Sequence, residues 1–289
     1  MSNSKPESVK GRTAVKTAGS ARKSTPKRSA LKPSRADKPN PVTQAKAWCL
    51  KNPLGEWKKA AEKKKGIPPV SPKSFRPNPA TSNVSVRELE VLLSRYSCGV
   101  EGLEIRKLAQ VIHSEAQNEG VDPLLMMAIM SAESSFKPTA HSPTDDWGLM
   151  QLAPGTIADI VKNEKVKREE VREYQTVKQK LSSMTRMLMK QSVPNAMGGI
   201  RHFGDGQAQI ERKLSKGRKA DPGRVIFHAV QGYNAGIPRI SKAIDSGNSF
   251  QVFQEYPSRI AWILNDIRKH LPEVRKYLAA AGGIDSGKT

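Results

Sequence analysis

The sequence predicts a mostly α-helical domain of about 200 residues that follows a long, basic N-terminal tail. Three observations lead to this fold class. Apolar residues after Ser85 recur at helical spacing, strand signals are weak, and the excess positive charge is concentrated before residue 81. The 289 residues include only 37% hydrophobic side chains, below the roughly 45–50% of an average globular protein. Part of the chain is therefore expected to lie outside any packed core.

The tail is defined by its charge. Residues 1–80 carry 20 Lys and Arg against 4 Asp and Glu. Residues 1–40 have almost no large apolar side chain, so burial cannot offset the entropy of ordering them, and we expect disorder. Around Trp57, the apolar and basic residues of 43–66 predict a short amphipathic helix that docks on the body or on a partner. Prolines from 68 to 79 predict a linker, so we place the domain at 81–280.

A basic tail attracts polyanions through charge and counterion release. Nucleic acid, lipopolysaccharide phosphates and anionic wall polymers are the candidate partners. A solvated tail without a partner remains the alternative, and composition does not choose between them.

The helices of the domain follow from periodicity and from their ends. An apolar stripe predicts a helix over 86–95, and a second helix over 103–120 ends at Gly120, a residue suited to a helix C-terminus. Asp122 and Pro123 are a typical N-cap and first residue. The stripe of that third helix is Leu125, Ala128, Ile129, Ala132 and Phe136. Further helical stretches are 156–163, 171–191, 198–202, 223–233 and 257–270.

The chain shows no apolar leader and no apolar run near the ~20 residues that a membrane span needs. Cys49 and Cys98 allow one disulfide, but without a leader we expect two free thiols in a reducing compartment. The histidines lack metal-ligand spacing, and no glycine loop for phosphate is present. We therefore predict no metal and no cofactor.

Glu133 is the first candidate for catalysis. It comes late in the third helix, four residues after Ile129, so its carboxyl is expected beside an apolar face. Burial raises the pKa of a carboxyl, and a carboxylic acid that is protonated near neutral pH can act as a general acid. The alternative is an ordinary surface glutamate.

Three ordered motifs accompany this residue. Glu133-Ser134 is followed by GLMQ at 148–151, which leads to PGT at 154–156, and GYNAG stands at 232–236. This set resembles the soluble lytic transglycosylase family, whose lysozyme-like fold is related to goose-type lysozyme. The resemblance covers roughly residues 105–270 and includes 195–200 (NAMGGI) and a closing helix at 257–262 (PSRIAW). The family has Ala where this chain has Gly232, and we expect this departure only to add slack behind Tyr233.

The resemblance implies a fold and a reaction. It implies that Glu133 protonates the glycosidic oxygen between N-acetylmuramic acid and N-acetylglucosamine in peptidoglycan strands. The same carboxylate would then deprotonate the muramic 6-hydroxyl, which closes a 1,6-anhydro ring, so that one carboxylate suffices where ordinary glycosidases use two.

The resemblance also implies supporting roles around Glu133. Tyr233 would place its hydroxyl near the carboxyl and support proton cycling. Ser134 would orient Glu133, bond the sugar, or only cap the helix end. The main chain of Met150 would bond an N-acetyl group, and the amide of Gln151 would donate to the sugar. Asn234 would bond backbone across the substrate cleft.

Two further carboxylates leave the mechanism open. Asp145 or Asp146 would activate water if either reached the far face of the sugar, and the enzyme would then be a hydrolytic muramidase. Otherwise they form a solvated turn. Trp147 beside them would either stack on a sugar ring or wedge the loop against the core.

The substrate implied by the resemblance lies at the cell wall or in the periplasm, whereas the sequence shows no leader. Packaging in a phage virion and export by a specialised secretion apparatus are two ways to reach it. Release of a phage endolysin through a holin is a third, and the sequence slightly favours a phage origin. A rival of another class is a non-catalytic binding or structural protein that has kept the scaffold.

Overall fold

The computed structural model describes residues 49, 53–63, 70–79, 83–98, 100–163, 185, 187–215 and 218–281. The elements within these ranges are helical. They are α1 (Pro53–Lys63), a 3-10 helix (Pro72–Phe75), α2 (Val86–Tyr96), α3 (Ile105–Asn118), α4 (Pro123–Ser134), α5 (Pro154–Asn163), α6 (Ser192–Ser215), α7 (Pro222–Ala235), α8 (Ile237–Asp245) and α9 (Glu255–Ala280). Trp147 makes isolated bridges with His141 and Leu152, the β-type pairings of the described residues. The mostly helical fold class is confirmed.

The predicted helix starts are set by side-chain caps. Ser85 and Glu88 form a reciprocal capping box at the start of α2. The carboxylate of Asp122 accepts a hydrogen bond from the main-chain N–H of Leu124, and Pro123 occupies the first turn of α4. These local signals explain why both helices begin where the sequence predicted.

α4 is the central helix of the core. Its residues are buried on every side, except for Glu133 in the last turn, which is half-buried. α9 and α3 pack against it. A helix that is apolar on all sides lies in the interior of a protein. α4 therefore runs through the core, and its last turn reaches the edge of the core at Glu133. The left-handed backbone of Ser135 and Phe136 then ends the helix, so Phe136 does not extend it as its stripe predicted.

Other elements differ in extent from the prediction. The predicted helix 198–202 is part of the longer α6, and 257–270 is part of the longer α9. α8 was not predicted. Most of the predicted helix 171–191 lies outside the described residues.

Two segments before residue 81 pack on the body. α1 lies against α9 and α4, with the indole of Trp57 buried. Phe75 is buried against Phe227 of α7, with ring centroids 6.0 Å apart. The amphipathic helix expected within 43–66 is therefore present and docks on the body. The packed residues extend to the N-terminal side of the boundary that we predicted between 80 and 81.

The expectation of two free thiols is wrong. Cys49 and Cys98 form a disulfide. The docking of α1 brings Cys49, four residues before that helix, to the end of α2, where Cys98 lies. Among the described residues, no helix is both long enough and apolar enough to cross a membrane.

Candidate active site

Glu133 lies in the last turn of α4 and is a half-buried residue. Burial is the largest cause that raises its pKa above the usual value, and the negative charge of Asp146 raises it further. A hydrogen bond from Tyr256 and the charge of Arg259 act in the opposite direction without cancelling the rise. The predicted up-shifted carboxyl is thus present, and the protonated form is favoured to a higher pH than in an exposed glutamate.

Tyr256, at the start of α9, makes the direct contact with the carboxyl. Its buried hydroxyl donates a hydrogen bond to Oε1 of Glu133. The guanidinium of Arg259, one turn further along α9, lies 5.0 Å from the centroid of the Tyr256 ring. Sequence reasoning missed Tyr256. Its one signal was its position directly before the 257–262 segment that resembles a closing helix.

The sequence predicts that the Tyr233 hydroxyl lies near the Glu133 carboxyl. This hydroxyl donates to the main-chain oxygen of Met150 at 2.7 Å. The negative charge of Glu133 nevertheless contributes to the raised pKa of Tyr233, after burial as the largest cause. Tyr233 therefore lies within electrostatic range of the carboxyl but supports the 148–151 loop.

The 148–151 loop is bound to the end of α4. The hydroxyl of Ser134 lies 3.0 Å from the main-chain oxygens of both Met130 and Leu149. Ser134 is buried, so its position fits the predicted cap of the helix end and adds a link to the loop. It makes no hydrogen bond to Glu133 among the contacts of the described residues. Backbone φ values of 77° at Gly148 and 47° at Gln151 give the loop its tight path.

Asn195 of α6 holds this loop from behind. Its buried amide Nδ2 donates to the carbonyls of Trp147 and Leu188 at 2.8 and 2.6 Å, and its Oδ1 accepts the Met150 N–H at 2.8 Å. A Cβ at position 148 would collide with this carboxamide, which explains the glycine there. Asn234 is exposed at the end of α7. Among the described residues, Asn195 makes main-chain hydrogen bonds of the kind that we predicted for Asn234.

The predicted sugar-binding donors of the loop are engaged within the protein. The Met150 N–H is donated to Asn195, while its carbonyl accepts from Tyr233. A carbonyl has two lone pairs, so one acceptor position of Met150 remains. The side-chain Nε2 of Gln151 donates to main-chain carbonyls, of Ala140 at 3.1 Å and of Gly148 at 2.9 Å. In this structure Gln151 braces the loop through the amide that we expected to donate to sugar.

The two aspartates before the loop have separate environments. Oδ2 of half-buried Asp146 accepts from the hydroxyls of Ser142 and Thr144 at 2.9 and 2.6 Å. Asp145 is exposed, and hydrogen bonds from His141 and then Trp147 lower its pKa. Asp146 is the one of the pair whose charge acts on Glu133.

Gly232, where the family resemblance would place Ala, does not leave slack. The terminal methyl of Ile237, the first residue of α8, would lie 2.4 Å from a Cβ added at this position, so this flexible end of the side chain would have to move aside. The absent side chain leaves room for the Ile237 side chain at the contact between α7 and α8. Within the described ranges, no group of three or more His, Cys, Asp or Glu side chains could hold a metal ion.

Comparisons with known proteins identify a domain family that covers most of the residues described above. The family model described as the transglycosylase SLT domain matches residues 110–253. Membrane-bound lytic murein transglycosylase C of Haemophilus influenzae strain PittEE is 26% identical over 176 residues, which cover 60% of this chain and 44% of the relative. The protein of the same name from strain PittGG is 25% identical over 176 residues, with the same coverage. The chain thus spans less than half the length of the curated relatives it matches.

The match to the family model includes Glu133, the 148–151 loop, Asn195 and Tyr233, and it ends before Tyr256. The chain has the helical, lysozyme-like architecture of this domain. Through residues 110–253, the chain belongs to the transglycosylase SLT domain family.

Proposed function

We propose that this chain is a peptidoglycan lytic transglycosylase in which Glu133 is the single acid and base. The observation that carries the proposal is the carboxyl of Glu133 at the end of the core helix α4, whose pKa is raised by burial and whose Oε1 accepts a hydrogen bond from Tyr256. A carboxylic acid in this state can give up a proton and take one back in a single cycle.

The reaction uses one proton site twice. Glu133 donates its proton to the glycosidic oxygen, and the bond to C1 of N-acetylmuramic acid breaks as N-acetylglucosamine leaves with a free 4-hydroxyl. The resulting carboxylate removes the proton of the muramic 6-hydroxyl. The 6-oxygen bonds to C1, which closes the 1,6-anhydro ring, and Glu133 is protonated again. No water is consumed.

Tyr256 and Arg259 stabilise the ionised half of this cycle. Both the hydrogen bond from Tyr256 and the positive charge of Arg259 lower the pKa of Glu133, so they favour the carboxylate that must exist between the two proton transfers. Burial and Asp146 favour the acid that begins the cycle. The opposing effects keep both states accessible, which an acid and base in one residue requires.

The test is mass spectrometry of the sugars released from purified peptidoglycan by the wild type and by Glu133→Gln. We expect 1,6-anhydro-muramic ends from the wild type and at least a roughly 10²–10⁴-fold loss in the variant. Glu119→Gln is the matched control, because burial also raises the pKa of Glu119, which lies at the end of α3. Equal product from Glu133→Gln and Glu119→Gln would contradict the assignment.

Asp146 supports a second candidate, a hydrolytic muramidase. Its charge acts on Glu133, as a carboxylate that activates water in the same site would. Reducing muramic ends that disappear in Asp146→Asn would establish hydrolysis. No sugar release by the wild type, on wall material that a control enzyme digests, would favour the non-catalytic scaffold.

The proposal places the enzyme at the bacterial cell wall, delivered by a virion or a specialised secretion apparatus. The basic residues 1–80 would contact a polyanion or a protein of that apparatus. Filter binding of the full chain to DNA, lipopolysaccharide and wall polymer over a salt series tests the first contact, because each phosphate contact steepens the salt dependence. Binding that does not change with salt concentration would exclude a polyanion as the partner. Mass spectrometry of purified virions and of secreted fractions distinguishes the routes.

A further inference from the structure

An aromatic stack lies on the loop between α4 and α5. The imidazole of His141 and the indole of Trp147 have ring centroids 3.8 Å apart and planes inclined by only 21°. The side chain of His141 is 45% exposed, and Trp147 is half-buried. The indole is not part of the hydrophobic core, so core packing does not account for its position.

Side-chain hydrogen bonds hold both rings of this His141–Trp147 stack. Asp145 Oδ1 accepts from Trp147 Nε1 at 2.9 Å and lies 2.8 Å from His141 Nε2. Asp145 adopts a left-handed backbone with φ of 67°, a conformation that few non-glycine residues take. One carboxylate thus fixes the edges of both rings.

Hydrogen bonds also hold the main chain of Trp147. Its N–H and carbonyl exchange hydrogen bonds of 3.0 and 2.9 Å with Leu152. Its carbonyl also accepts from Asn195 at 2.8 Å. The indole therefore has little freedom to lose when a ligand contacts it, and such preorganisation favours binding.

The stack is connected to the Glu133 site through its neighbours in the chain. Asp146, between Asp145 and Trp147 in the chain, acts on Glu133 by its charge. Two residues after Trp147, the carbonyl of Leu149 lies 3.0 Å from the hydroxyl of Ser134, the neighbour of Glu133. A glycan strand that presents one glycosidic bond to Glu133 continues on both sides of that bond, so its next rings must pass the borders of the site.

We propose that the His141–Trp147 stack is a carbohydrate subsite, which takes the apolar face of a hexosamine ring of the glycan strand. The subsite deepens the proposed function and rests on it. A pyranose ring exposes C–H groups on its faces, and these fit the negative face of an aromatic ring. The hydrogen bonds to Asp145 engage the edges of the rings, so the ring faces that do not stack on each other are the contact surface of this subsite.

The test is calorimetric titration of tetra-N-acetylchitotetraose into Glu133→Gln protein that also carries Trp147→Leu, Trp147→Phe or His141→Leu. We expect about tenfold weaker binding for Trp147→Leu, with Trp147→Phe between it and the parent because it keeps a ring. Trp262→Leu is the matched control, because Trp262 is an exposed indole on α9, outside the stack. It should bind as the parent does.

Kinetics of the same substitutions in active protein provide an independent readout. KM on peptidoglycan should rise about tenfold for Trp147→Leu while kcat changes far less, as expected when uniform binding is lost. Unchanged Kd and KM in folded Trp147→Leu would overturn the subsite. If that variant does not fold by circular dichroism, His141→Leu decides by the same criterion. Wild-type protein that releases no anhydro sugar would instead remove the proposed reaction, while the titration still tests the subsite.

Discussion

Residues 110–253 and the segments that flank them build the site in different ways. The region that matches the family model supplies Glu133 and the 148–151 loop. The side chain of Asn195 holds the main chain of this loop and of Trp147 by hydrogen bonds. The C-terminal flank supplies Tyr256 and Arg259, which act on the carboxyl itself. The N-terminal flank supplies α1, which packs on α4 and α9. The comparison teaches that the motifs identify the candidate acid Glu133, while residues outside them influence its charge state and pack against its helix.

The largest effect is expected from the disulfide that ties the N-terminal flank. The bond between Cys49 and Cys98 spans a sequence separation of 49 residues. For a loop of this length, the chain-entropy model gives about 4 kcal/mol of free energy of unfolding. Urea unfolding with and without dithiothreitol should show a loss of this order, because reduction frees the N-terminal segment in the unfolded chain.

The matched control is the double variant Cys49→Ser with Cys98→Ser. It should unfold at the midpoint of the reduced wild type and should not respond to dithiothreitol. A wild-type midpoint that is unchanged by reduction would show that the packing of α1 stabilises the flank without the bond.

The next effect concerns the region that matches the family model. Asn195→Leu keeps the approximate shape of the side chain but removes the partners of Met150 N–H and of the Trp147 and Leu188 carbonyls. Buried polar groups without a partner cost about 1–3 kcal/mol each, so we expect a loss of roughly 3 kcal/mol in thermal or urea unfolding. Exposed Asn234→Leu should change stability by less than about 0.5 kcal/mol. Equal losses of stability in the two variants would mean that Asn234 is as important for the fold as Asn195, in line with the structural role that the sequence predicts for Asn234.

The third prediction separates the two tyrosines of the site. Tyr256→Phe removes a hydrogen bond to a charged partner, worth about 1.5–3 kcal/mol, so kcat/KM should fall roughly 10–100-fold. The lost bond had lowered the pKa of Glu133. The alkaline limb of kcat/KM against pH, where the required acid is lost, should therefore move to higher pH. Tyr233→Phe loses its bond to Met150 instead and should leave this limb close to the wild-type position. Identical pH profiles for the two variants would contradict the separation.

Local signals predicted most of the fold and the centre of the site. The capping residues Ser85 and Asp122 act within one helical turn, so they can be recognised from the sequence. Tyr256 reaches Glu133 across 123 positions of the chain, and no periodicity or cap reports such a contact. Asn195 was similarly hidden, because a buried carboxamide and an exposed one have the same letter. The disulfide was missed because the thiols were judged by the absence of a leader, while the docking of α1 that brings them together is a tertiary effect.

The smallest effect tests the charge that the loop places near Glu133. The carboxylate of Asp146 raises the pKa of Glu133, so Asp146→Asn should lower that pKa and move the alkaline limb of kcat/KM to lower pH, opposite to Tyr256→Phe. Asp145→Asn is the control, because Asp145 is not among the charges that act on Glu133, and its limb should stay in place. A limb that does not move in Asp146→Asn would mean that solvent screens Asp146 and that burial alone raises the pKa. If Asp146→Asn retains its anhydro product while its limb moves, Asp146 tunes the acid without activating water, and the charge state of Glu133 is then set from both sides of the site, by the loop and by α9.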